Sequence, residues 1–171
     1  MKKKLLSLMV AFLAIAAGNA VAQTSGNASA NAAAGLITPI AITKTVDMNF
    51  GTLGPSGTGN GTLKLSPSGM RTTTGGVAVL ANHGISTPAV FDVTGEDGYS
   101  FAITLPTIPF VLINGAQVMW ATNFTSFPSG SAVITSGQIA LNVGATLNVA
   151  MNQAPGTYTS LTPFPVTVNY N

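Results

Sequence analysis

Cysteine is absent from the 171 residues. That excludes disulfide staples, thiolate nucleophiles and thiolate metal sites. Charge is scarce as well, with six Lys and Arg, four Asp and Glu, one His and one Trp. Lys2, Lys3 and Lys4 stand together at the start. Beyond residue 22 only Lys44, Lys64 and Arg71 face Asp47, Asp92, Glu96 and Asp97. No basic surface for a nucleic-acid backbone can be assembled from that set. Catalysis needs groups that move protons, attack or hold a metal, and one His with four carboxylates offers few of them. Helical periodicity is missing too: past the leader, no window of helical length places apolar residues at three-and-four spacing.

What is present divides into three segments. Residues 1–22 read as a secretory signal peptide, with three lysines, an apolar run from Leu5 to Ala17, and Ala20-Val21-Ala22 before a cut between Ala22 and Gln23. A membrane anchor fits less well, because a span needs about 20 apolar residues and Gly18-Asn19 ends this run early. Residues 23–35, rich in Ala, Asn and Ser, read as a tail or a weak donor strand, with Ala28, Ala30, Ala32, Ala34 and Leu36 in one phase. Residues 36–171 read as one β domain. Without disulfides, such a domain depends on core burial and hydrogen bonds.

Within that domain the period is two. Leu36, Ile40, Ile42, Val46, Met48 and Phe50 share a phase, so a half-buried strand or two collinear ones are predicted, with a break at Pro39. Gly51–Gly61 reads as a loop, a short strand follows at Thr62–Ser66, and Thr72–Thr74 with Gly75-Gly76 leads into another short apolar run at Val77–Leu80. Ala89, Phe91 and Val93, then Gly95-Glu96-Asp97-Gly98, then Tyr99, Phe101, Ile103 and Leu105 predict a hairpin. Asn114-Gly115 predicts a second, and the Gly144-Ala145 step between Ile139 and Val149 a third. Val166, Val168 and Tyr170 alternate in a closing strand. The expected fold is an all-β, immunoglobulin-like antiparallel β-sandwich behind a helical leader.

Two resemblances rest on these motifs. Pro39-Ile40-Ala41-Ile42-Thr43-Lys44-Thr45, Met48-Asn49-Phe50-Gly51, Gly75-Gly76-Val77, Leu141-x-Val143-Gly144-Ala145, Pro155-Gly156-Thr157-Tyr158 and Val166-Thr167-Val168-Asn169-Tyr170-Asn171 resemble an uncharacterised family of secreted bacterial β-rich domains. More distantly, Phe50-Gly51 after the first strand and the penultimate Tyr170 look like archaic chaperone–usher pilins of the spore-coat U type. That likeness implies an incomplete sandwich completed by β-strand addition from a periplasmic chaperone and then from the next subunit. The chain departs from it in having no cysteine pair near the first strand and no large alternating hydrophobes in the tail.

No catalytic, cofactor-binding or metal site is expected. A triad around His83 would have to recruit Asp92, and no Gly-x-Ser-x-Gly turn is present, so His83 reads as a loop residue. Asp92 lies opposite Phe91 and Val93 on its strand and is expected to face solvent. Glu96 and Asp97, between glycines, read as turn residues rather than calcium ligands. Gly57-x-Gly59-x-Gly61 lacks the Lys-Ser/Thr and the helix of a phosphate loop. Trp120, Phe124 and Phe127 are assigned to the core rather than to a glycan-binding face.

The expected function is a secreted, non-enzymatic structural or adhesive surface protein, a pilin-like subunit in the periplasm or at the cell surface. Its candidate strand-pairing residues are Leu36, Ile40, Ile42, Val166, Val168 and Tyr170. Expected partners are further copies in a homo-polymer or a periplasmic chaperone and usher, with no nucleic acid and no membrane span after signal cleavage. The alternative is a stand-alone secreted β-sandwich that binds a ligand such as a glycan. An outer-membrane barrel fits poorly, since its strands need about 9–11 residues.

Overall fold

The computed structural model describes residues 25–55, 57–80 and 84–171. The expected signal peptide with its Ala22–Gln23 cut, and His83, lie outside the described residues. Residues 25–35 belong to the leading unit and carry no strand or helix. Leu36–Asn171 form the second unit, which is all-β, with no helix among the described residues.

Among the described residues thirteen strands follow in order: β1 (Ala41–Val46), β2 (Leu53–Pro55), β3 (Gly61–Leu65), β4 (Arg71–Gly75), β5 (Val77–Val79), β6 (Ala89–Thr94), β7 (Ser100–Thr104), β8 (Phe110–Asn114), β9 (Gln117–Phe127), β10 (Ser131–Val133), β11 (Gln138–Val149), β12 (Thr159–Ser160) and β13 (Thr167–Tyr170). The large sheet runs β1-β6-β11-β9-β8-β12, and β3 joins the β6 side of β11 and carries β4. A second sheet runs β10-β7-β13, and β2 pairs with β5.

β11 is the spine. Its odd-numbered residues Leu141, Val143, Ala145, Leu147 and Val149 are all buried on one face. The first two pack with Phe91 and Val93 of β6, Phe101 of β7 and Val168 of β13, so the small sheet covers the first half of the spine. The last three pack with Leu63, Leu65, Phe50, Val77 and Ala121 under the second half. Phe164 bridges the two clusters, its ring 5.1 Å from Phe124, 5.8 Å from Phe110 and 6.4 Å from Phe91.

Two predicted hairpins are corrected. β6 and β7 do not pair; β6 lies between β1 and β11, and β7 between β10 and β13. Both strands hide an apolar row, and Gly95–Gly98 carries the chain from one layer to the other, so the rows face each other across the core. The Gly144-Ala145 step is no turn but the middle of the twelve-residue β11. Gly144 is required by close approach: a Cβ there would collide with the Leu65 carbonyl and the Ser66-Pro67 backbone, where β3 ends against β11. The Asn114-Gly115 hairpin forms as β8–β9, with Gly115-Ala116 as its two-residue loop. The predicted loop at 51–61 contains the short β2.

Candidate functional site

Five of the six candidate strand-pairing residues converge on one side of the domain. Ile40 and Ile42 at β1, and Val166, Val168 and Tyr170 at β13, pack on the same core cluster. β1 is an edge strand of the large sheet, β13 an edge strand of the small one, and the two approach each other. Leu36 is fully exposed and in no strand. Its exclusion has a local cause: Pro39 has no N–H to continue the ladder, and the Thr38 N–H donates to Glu96 Oε2 at 2.8 Å instead.

Which backbone groups of β13 remain open follows from its register. Thr167, Val168, Asn169 and Tyr170 stand opposite Thr104, Ile103, Ala102 and Phe101. The Asn171 N–H donates to the Ser100 carbonyl, whereas the Ile103 N–H donates outward to Gly130 on the β10 side. In an antiparallel ladder these directions alternate. Thr167, Asn169 and Asn171 therefore spend their backbone groups on β7, and those of Val166, Val168 and Tyr170 point to the free edge. Among the described residues no strand pairs there.

Tyr170 anchors the end of this edge. Its hydroxyl donates to the Thr38 carbonyl at 2.8 Å and accepts the Glu96 N–H at 2.7 Å. Its ring meets Tyr99 edge-on at 5.8 Å. Gly95 makes this possible, because a Cβ there would collide with the Tyr170 hydroxyl. Hydrogen bonds from the Thr38 hydroxyl first, and from its backbone N–H second, hold the Glu96 carboxyl below its ordinary pKa. Asp97 Oδ1 accepts the Ser136 N–H at 2.6 Å. Both acids thus fasten the Gly95–Gly98 crossing. Thr38, Gly95 and Tyr99 were not among the candidates; the sole sequence signal for them is the short polar Gly-Glu-Asp-Gly link.

The remaining candidates fall elsewhere. Asp92 is half-buried on the outer face of β6. Phe124 joins the core as assigned, but Trp120 and Phe127 do not and are 44% and 72% exposed. The reason is an irregularity at Asn123, which has φ 50° where β9 slips against β11 and reverses its inward phase.

Residues 40–170 match a domain of unknown function, DUF4402, and the chain belongs to that family. Comparison with curated proteins and with solved structures yielded no match.

Proposed function

We propose that the protein is an exported, non-enzymatic surface subunit that works by accepting an additional backbone strand along the free edge of β13. On this reading the two layers are an incomplete immunoglobulin-like sandwich, closed at the β1/β13 side by a strand from a second copy or from a periplasmic chaperone. The observation that carries it is the edge itself. β13 has no charged side chain, no proline and no register shift, and its own Val168 is buried. An edge of that kind invites pairing, which burdens a free monomer and suits a subunit built to assemble. The leader supports export, and the 23–35 tail, with alternate alanines leading to Leu36, supplies a donor candidate held chiefly by main-chain hydrogen bonds.

Light scattering coupled to size exclusion tests this on the exported full chain. Concentration-dependent multimers are expected. Val168→Pro removes one outward N–H while leaving every β7 hydrogen bond in place, and should shift the protein to monomer with its far-UV circular dichroism retained. A wild-type chain that stays monomeric at all concentrations refutes self-pairing. Unchanged assembly after deletion of residues 24–34 removes the tail as donor.

A further inference from the structure

On the outer face of the large sheet, one row of cross-strand partners runs Thr74 (β4), Thr62 (β3), Asn148 (β11), Trp120 (β9) and Val111 (β8). Strands lie about 4.8 Å apart, so Thr74 to Trp120 spans about 14 Å. Thr74, Thr62, Asn148 and Trp120 of this row floor an open groove of ≈ 480 Å³ walled by Asn60, Val118, Ala150 and Gln153. Among the described residues no charged side chain lines it.

The polar groups of the groove are held in place and half-used. Asn148 Nδ2 donates to the Trp120 carbonyl and to Thr122 Oγ1, each at 3.0 Å. Asn60 Oδ1 accepts the Met151 N–H at 2.7 Å. Gln153, only 8% exposed, donates through Nε2 to the Val118 carbonyl at 3.2 Å and to the Tyr158 hydroxyl at 2.8 Å. Each amide is therefore oriented by one end. Its other end, Asn148 Oδ1, Asn60 Nδ2 or Gln153 Oε1, has no partner among the described residues, and neither has Trp120 Nε1. The hydroxyls of Thr62 and Thr74 meet at 2.7 Å and keep acceptor capacity. One free amide donor and two free amide acceptors thus belong to residues that line the same groove as a 44% exposed indole, which brings its own N–H.

We infer that this groove binds a neutral oligosaccharide. A pyranose ring presents an apolar C–H face that stacks on an indole, and a rim of hydroxyls that each donate and accept. Fixed amides with open ends match those hydroxyls at little entropic cost. Uncharged walls fit neutral hexoses and N-acetylhexosamines rather than uronic or sialic acids. The groove is separate from the β13 edge, so this site stands or falls independently of strand addition.

Trp120 is the only tryptophan, so its emission reports on the groove alone. The full chain is titrated with neutral gluco-, galacto-, manno- and N-acetylglucosamine trisaccharides and with trigalacturonate as the acidic control. A saturable emission change with at least one neutral trisaccharide and none with trigalacturonate is expected. Calorimetry on Trp120→Ala should show at least about tenfold weaker binding, and Trp120→Phe should recover part of it. Absence of saturable change with every neutral sugar up to about 10 mM, weaker than the ~1 mM of feeble specific sites, overturns the inference. So does equal binding of the acidic sugar. So does undiminished binding by a Trp120→Ala protein whose circular dichroism is native.

Discussion

β1 and β13 are both edge strands, they flank the same core cluster, and they meet at one side of the domain. Their defences differ. β1 carries Lys44, whose Nζ pairs with Asp47 Oδ1 at 2.6 Å, and its register against β6 shifts between Lys44 and Val46. A lysine and a bulge are two of the ordinary devices that keep an edge from recruiting strange strands. β13 has neither, and pairs with β7 without interruption. Two edges under the same pressure to hide apolar side chains thus differ in what they allow next to them. On the reading proposed above, the contrast favours β13 over the better-defended β1 as the edge that would accept a strand.

The largest test concerns what holds the β13 edge in position. Tyr170→Phe strips the hydroxyl that bridges the Glu96 N–H and the Thr38 carbonyl. The part-buried donor left behind should cost about 2 kcal/mol, a fall in Tm of ~4–8 °C for a domain of this size. Thermal unfolding followed by circular dichroism measures it. A loss under about 0.5 kcal/mol, within the range of an ordinary surface change, would show that Tyr170 acts through its ring contact with Tyr99 alone.

A milder test exchanges the defences. Asn169→Lys sets a charge on the exposed face of β13, and should weaken self-association roughly fivefold, equivalent to ~1 kcal/mol of cross-strand pairing. Lys44→Thr removes the charge from β1 and should strengthen association by less, because the register shift there remains. Sedimentation equilibrium on both variants decides it. If Lys44→Thr has the larger effect, the two strands have been assigned the wrong way round.

How much of this was legible in the residues depends on which interaction set each feature. Alternation revealed the buried row of β6, β7, β11 and β13 correctly, because burial of one face is a property of a single strand. It was silent on partners. Phe91 and Phe101 carry the same phase whether their strands lie side by side or face to face, and only the long-range contacts to β1, β11, β10 and β13 decide. Gly144 misled for a related reason: a glycine within an apolar alternation marks a turn or a close approach equally well. Ala145, in phase with Leu141 and Leu147, was the clue that the strand continued. Trp120 and Phe124 are four residues apart and should share a face; the positive φ at Asn123 parts them. The alternating inward row of the closing strand was readable, whereas the groove around Trp120 was not. Its row of Thr74, Thr62, Asn148 and Trp120 comes from four strands, and no local pattern announces it.

The smallest expected effect lies at the junction of the two edges. Glu96 binds Thr38, three residues ahead of the start of β1, while its own N–H is held by Tyr170 of β13. Its carboxyl titrates below the ordinary value because Thr38 favours the charged form. A carboxyl whose folded pKa is depressed stabilises the fold above its unfolded pKa of about 4.3. That contribution fades as the pH falls through and below this value toward the folded one. Wild-type Tm should therefore decline between about pH 5 and pH 3 more steeply than that of Glu96→Gln, which keeps an acceptor for Thr38 without a charge to lose. Because Glu96 is only half-buried and its carboxyl is open to solvent, the difference should be small and should shrink in high salt. Parallel slopes for the two proteins would mean that the Thr38 contact contributes nothing to acid stability. The link from the β1 side to β13 would then rest on Tyr170 alone.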